Sequence, residues 1–112
     1  MASLHGMLYV VGGHDSNKED MVAVERYDPR KRQWTRLADL PEPRAQMGLT
    51  SLDGLLYAVG GWQDRVVTDT VYVYNPARNS WRSVEDVPFR LRGAAICVLQ
   101  GHLYLAGMLR SL

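Results

Sequence analysis

Few residues of this 112-residue chain could do covalent or ligand chemistry: two glycine pairs, three histidines and one cysteine. Gly12-Gly13 and Gly60-Gly61 each close a short apolar run, as a phosphate cradle would, but a cradle also needs a helix N-terminus directly after the glycines. A polar loop and another strand follow instead. The pairs are therefore assigned to backbone geometry, either positive φ or the close approach of a neighbouring strand. His5, His14 and His102 show no spacing that resembles a zinc or copper ligand set, and no metal or other cofactor is expected. Cys97, within Ala94-Ala95-Ile96-Cys97-Val98-Leu99, reads as a small buried hydrophobe. As the single cysteine it can form neither an intramolecular disulfide nor a cysteine-cluster metal site.

Binding chemistry is better represented. All but two of the 13 basic residues are Arg, and 12 acidic residues leave a net charge of +1, too little to recruit nucleic acid or an anionic membrane. Recognition must then be local, where the planar guanidinium suits carboxylates. Arg30-Lys31-Arg32 sits in one short turn and reads as its solvated tip. Arg44, Gln46, Arg90 and Arg92 lie in or just after proline-containing connections, whereas His14, Trp62, Gln63 and Arg65 follow the glycine pairs. These eight are the candidate partner-binding residues. Arg44 and Arg90 have an equal structural reading, as donors to carbonyls and carboxylates of adjacent sheets. Trp62 stands where the first repeat has His14, so no repeat-wide packing rule demands an aromatic there, and an exposed loop Trp suits binding.

The elements that must position these residues recur. Tyr9, Tyr57 and Tyr104 stand 48 and 47 positions apart; Tyr27-Asp28-Pro29, Trp34 and Leu40-Pro41 return as Tyr74-Asn75-Pro76, Trp81 and Val87-Pro88, each after 47. A fixed period of this length marks a propeller, solenoid or array, whose units stack to bury their faces. Strands are predicted near 7–12, 22–28, 33–37, 47–52, 55–60, 70–75, 80–84, 94–99 and 102–106, with no helix of useful length. The Leu-Tyr-Val-Val and Leu-Tyr-Ala-Val runs are apolar at every position, which predicts sheets covered on both faces. Asp28-Pro29 and Asn75-Pro76 open tight turns.

Composition is that of a globular domain, 46% hydrophobic and 22% charged. No apolar run approaches bilayer-spanning length and no signal peptide is visible. With one cysteine and no glycosylation triplet, an intracellular, cytoplasmic location is expected.

The ordered set of a strand ending in Gly-Gly, Tyr-Asp/Asn-Pro, a Trp and a Pro-containing crossover resembles the Kelch repeat over nearly the whole chain. The resemblance implies an all-β fold, a partial β-propeller of four-stranded antiparallel blades. In that family the Gly-Gly strand is second in the blade, Tyr-Asp-Pro ends the third, Trp lies on the outermost, and the segment after the crossover is innermost. Mapped here, blade one (5–40) is partial, with its second to fourth strands; blade two (41–87) is complete; blade three (88–112) is partial. Blade three also has Gly107-Met108 in place of a glycine pair. Gly12, Gly13, Tyr27, Trp34, Gly60, Gly61, Tyr74 and Trp81 become structural residues. Trp34 and Trp81 are expected to pack between blades, as are Tyr9, Tyr57 and Tyr104. Nine strands cannot close a ring of about four to eight blades, which points to a segment, a truncated isoform or an incomplete gene model.

In Kelch propellers the loops after the glycine pairs and the crossovers share one face, commonly the partner-binding one. The resemblance thus implies a non-enzymatic protein-interaction module that takes an acidic or polar peptide. It is most similar to the repeats that select substrates for a cullin ubiquitin ligase. Such proteins reach the ligase through an upstream BTB domain, which is not read within these residues. A cytoskeletal, actin-associated propeller is the alternative. A metal-dependent Kelch-type oxidase comes third, because its Tyr, His and cross-linked Cys have no counterpart here. Uncovered faces and edges of the partial blades are expected to favour self-association.

Overall fold

Runs of Val, Tyr and Leu broken at short intervals by Gly, Pro, Asn and Asp are too short for helices and well suited to pleated strands. The computed structural model describes every residue except Asp15, Lys18, Phe89 and 110–112, with the backbone alone at 91–95, 97 and 105–109. Ten strands form: β1 (Ala2–Leu4), β2 (Met7–Val11), β3 (Val24–Asp28), β4 (Gln33–Arg36), β5 (Gly48–Leu52), β6 (Leu55–Gln63), β7 (Val66–Asn75), β8 (Ser80–Val84), β9 (Leu91–Leu99) and β10 (His102–Leu109). They make three antiparallel sheets, β1-β2-β3-β4, β5-β6-β7-β8 and β9-β10.

Two features differ from the sequence reading. The first sheet has four strands rather than three, because Ala2–Leu4 pairs with β2 in the register Ala2↔Tyr9 and Leu4↔Met7. Three residues are too few to show alternation. The turn betrays the hairpin: His5-Gly6 takes φ of 51° and 74°, matched by Asp53-Gly54 at 52° and 78° and Gln100-Gly101 at 52° and 78°. Consecutive positive φ values are what a two-residue hairpin needs to match strand twist. The second difference lies after Gly60-Gly61, where β6 passes through an irregularity between Val59 and Gly61 and continues to Gln63. Trp62 and Gln63 are thus strand residues, and the turn is only Asp64-Arg65, at φ 48° and 68°.

Sheet two lies between the other two, as its apolar Leu56–Val59 run predicts, whereas the equally apolar Leu8–Val11 run lies in a sheet covered on one face only among the described residues. Leu56 and Tyr74 pack with Leu4 and Tyr9 of sheet one, Ala58 and Tyr72 with Val24 and Leu40. Val59 and Val71 turn the other way, toward Ile96 of sheet three. Trp81 clamps the first interface: its ring lies 5.0 Å from that of Tyr74, and its Nε1 donates to the Ala38 carbonyl at 3.0 Å. Asn79 Oδ1 accepts from the Ala38 amide and from the Tyr74 hydroxyl beside it. Trp34, expected to pack between blades in the same way, instead remains 52% exposed. It stacks on Tyr27 with the same 5.0 Å separation, but no sheet among the described residues covers that face. Tyr104 is 50% exposed for the same reason on the far side of sheet three.

The glycine pairs serve close approach. A Cβ on Gly12 would lie 2.4 Å from the Arg44 carbonyl oxygen, and one on Gly61 would lie 2.7 Å from that of Ala45 and 2.8 Å from Met47 Cγ. Gly61→Ala is therefore expected to cost about 1–3 kcal/mol more than Gly101→Ala. Gly101 also has positive φ, but a Cβ there meets nothing within 4 Å. Urea denaturation of the two variants checks this.

Candidate functional site

The site grows out of the crossover from sheet one to sheet two. Its backbone is bonded to both: Gly13 N donates to Arg44 O at 2.8 Å and Arg44 N to Met21 O at 3.1 Å, while Ala45 and Trp62 exchange bonds of 2.9 and 2.7 Å. The glycines admit this segment, and it draws the Arg44 side chain inside. Arg44 is 1% exposed, the one buried charged side chain among the described residues. A guanidinium removed from water needs acceptors. Nη1 donates to the Pro43 carbonyl and to Gln63 Oε1, Nη2 to Thr70 Oγ1 at 3.0 Å, and the cation lies over the Tyr72 ring, 5.5 Å from its centre. Glu42, 3.6 Å from Nη2, supplies the counter-charge. Tyr72 donates its hydroxyl to Glu42 at 2.7 Å, and Gln63 Nε2 donates to the same carboxylate.

These bonds shift two groups. The Tyr72 hydroxyl, then Gln63 and Arg44, hold the Glu42 carboxyl below its ordinary value. Burial, reinforced by the bond to Glu42, raises the Tyr72 phenol. Because the folded carboxyl is the stronger acid, its contribution is present above the unfolded pKa of about 4.3 and lost as pH falls through the lower folded value. Thermal melts from pH 6 downward should accordingly show Glu42→Gln losing less melting temperature on acidification than the parent chain. Glu42 is half exposed, so solvent screening keeps the difference small.

A second carboxylate joins the loops. Asp20 accepts from His14 Nε2 at 2.9 Å through Oδ1 and from the Asp64 amide at 2.7 Å through Oδ2. It ties the loop of sheet one to the β6–β7 turn of sheet two. Between them opens a cavity of about 610 Å³. Asn17, Glu19 and Asp20 line it from one side, Trp62, Gln63, Asp64 and Arg65 from the other, with Pro43 at the crossover.

Of the eight candidate binding residues, Trp62, Gln63 and Arg65 meet in this cavity, and His14 braces its wall. Trp62 is half-buried on a strand rather than exposed on a loop, because its backbone pairs with Ala45. Arg44 is corrected: it is enclosed behind the cavity by Gln63, Thr70 and Tyr72 and has no surface to offer a partner. Gln46 is exposed, with φ of 55°, but away from the cavity lining. Arg90 is exposed on the following crossover, and Arg92 lies among residues whose side chains are outside the description. The lining carries Glu19, Asp20 and Asp64 against Arg65, so the local charge is negative. Sequence reasoning did not single out Glu42, Asp20, Thr70 or Tyr72, none of which occupies a repeated motif position. Among the described residues no group of three or more His, Cys, Asp and Glu could hold a metal ion. Among the same residues no helix is long and apolar enough to cross a membrane, which says nothing of strands.

Stacked four-stranded antiparallel sheets, stitched by crossovers against paired glycines, define a partial β-propeller. The Kelch motif matches residues 1–41 and 43–88, and the chain belongs to the Kelch-repeat family. It is 38% identical to human Kelch-like protein 33 over 95% of this chain and 20% of that protein. It is 39% identical to mouse Kelch-like protein 26 over 96% and 18%, and 36% identical to beta-scruin of Limulus polyphemus over 72% and 10%. The chain thus spans about a fifth or less of these relatives. The solved structure of YjhT aligns with a TM-score of 0.79 at 29% identity, over 93% of this chain and 32% of that one.

Proposed function

We propose that the chain is a non-enzymatic protein-interaction module that seats a segment of a partner protein in the cavity between its first two blades. The observation that carries this reading is the cavity itself. It is built by connections of two different sheets and held open by Asp20, which bonds both. Loops fixed on a rigid scaffold are where binding residues concentrate, and about 610 Å³ accommodates one or two side chains. Trp62 offers the anchor. With Arg44 enclosed, the acidic partner suggested by the arginines gives way to one bearing a basic group, matched by Glu19 and Asp64.

The finer reading, supported by the similarity to Kelch-like proteins, is an intracellular substrate-recognition role in a cullin ligase, reached through a BTB domain elsewhere. A cytoskeletal, actin-associated role is the alternative, and cosedimentation with actin filaments is the discriminating assay. For the leading reading, a displayed peptide library panned on the chain should enrich basic segments. Glu19→Gln combined with Asp64→Asn should weaken them about tenfold without altering circular dichroism. No enrichment, or undiminished binding to that variant, sinks the proposal.

A further inference from the structure

Thr35 is the one Ser or Thr of this sequence with an Arg both three and five residues before it, and it follows directly on the Arg30-Lys31-Arg32 turn. It lies on β4, the edge strand of sheet one, whose four side chains are all exposed. Register sets the direction of its side chain. Thr35 pairs with Arg26 and Arg26 with Tyr9, directly opposite residues share a face, and Tyr9 packs on sheet two. Thr35 is therefore exposed on the face whose neighbouring sheet is present, so its accessibility does not depend on what precedes residue 1. Arg26 is half-buried on the same face. Its charge reaches sheet two, where burial and then Tyr9 raise the Tyr74 phenol and Arg26 opposes them. Yet neither the Arg26 guanidinium nor the Thr35 hydroxyl has a hydrogen bond or ion pair among the described residues. The cations of the turn are equally open, because Asp28 turns its Oδ1 to the Arg30 and Lys31 amides, at 2.9 and 3.4 Å.

We propose that Thr35 is a phosphorylation site, read by an arginine-directed protein kinase through Arg30 and Arg32, with Arg26 as the partner that receives the phosphate. A kinase groove lined with carboxylates takes such guanidinium groups by forked, charge-assisted bonds. In the transfer, Thr35 Oγ1 attacks the γ-phosphorus of a nucleoside triphosphate and the bond to the β,γ-bridging oxygen breaks. The nucleoside diphosphate leaves with that electron pair, and the hydroxyl proton passes to the base of the kinase. β4 suits this role, since it is already extended and is bonded to its sheet on one side only, so it peels away at lower cost than an inner strand. The product carries a charge of about −1.5 to −2 at neutral pH. Directly opposite residues have Cβ atoms about 4.5–5.5 Å apart, within reach of an arginine side chain, so the phosphate and Arg26 each gain the counter-charge they lack. The site lies outside the cavity lining and is independent of the peptide proposed there.

Incubation of the folded chain with ATP and an arginine-directed serine/threonine kinase tests this, with the site mapped by tandem mass spectrometry. Phosphate is expected on Thr35, and Thr35→Val should abolish it. Arg30→Ala combined with Arg32→Asn should slow the transfer about tenfold or more. Asparagine keeps the turn, because Asn79 holds the matching position of sheet two with φ of 47° against 52° for Arg32. The phosphorylated chain should melt about 2–4 °C above the unphosphorylated one. Arg26→Gln should remove that gain while still accepting phosphate. Transfer only to other residues, transfer only after heat unfolding, an undiminished rate in the arginine variant, or a melting gain that is absent from the parent chain or survives Arg26→Gln overturns the inference.

Discussion

Trp81→Ala is expected to destabilise the chain by about 3–5 kcal/mol, a large part of the ~5–15 kcal/mol that holds an ordinary domain. The indole packs against both clusters of the first interface, stacks on Tyr74 and donates to the Ala38 carbonyl. Truncation removes apolar contact and leaves a cavity, and it also strands an acceptor between the sheets. Trp34→Ala is the control at the same repeat position, and in dilute monomer it should cost only about 1 kcal/mol or less. Its ring is 52% exposed and stacks on Tyr27 of its own sheet. Urea denaturation measures both. Equal losses would mean that the repeat, rather than sheet stacking, sets the value of the residue.

Arg44→Ala should cost about 3 kcal/mol, within the range for breaking a buried charge network, whereas Arg90→Ala should stay within about 0.5 kcal/mol. The contrast follows from burial: Arg44 is 1% exposed and donates to Pro43, Gln63 and Thr70, while Arg90 is exposed. Arg44→Lys should recover only part of the loss, because an ammonium cannot reproduce the forked donors of the guanidinium. Loss of Arg44 should weaken peptide binding too, through collapse of the wall held by Gln63. Thermal melts beside a binding assay separate this from direct contact, since a contact residue would reduce binding while leaving the melt unchanged.

The repeat made most of the architecture legible. Glycine pairs, Tyr-Asp/Asn-Pro turns and the Trp spacing are locally encoded, because each reflects a backbone conformation or a fixed place in the pleat. Asp28 and Asn75 do cap their turns, accepting from the Arg30 and Ala77 amides. What escaped was short or cooperative. β1 has three residues and is organised by its register with β2. β6 continues past its glycines because Trp62 finds a second backbone partner in Ala45.

The candidate site was half legible, since Trp62, Gln63 and Arg65 stand out by type and position while Arg44 was ambiguous. A crossover arginine can turn outward to solvent or inward between sheets, and sequence distance says nothing of which. The choice depends on Thr70 and Tyr72, which lie 26 and 28 residues away on β7. By itself the sequence determined the repeat, its turns and through them the family, because these depend on short-range periodicity and backbone chemistry. Only the tertiary structure decided that Arg44 braces the cavity from behind, that its mouth is acidic, and that Trp81 is clamped while Trp34 is bare. Those outcomes depend on which sheet faces which, and burial, which sets the strength of charges and aromatic contacts alike, exists only once the sheets have stacked.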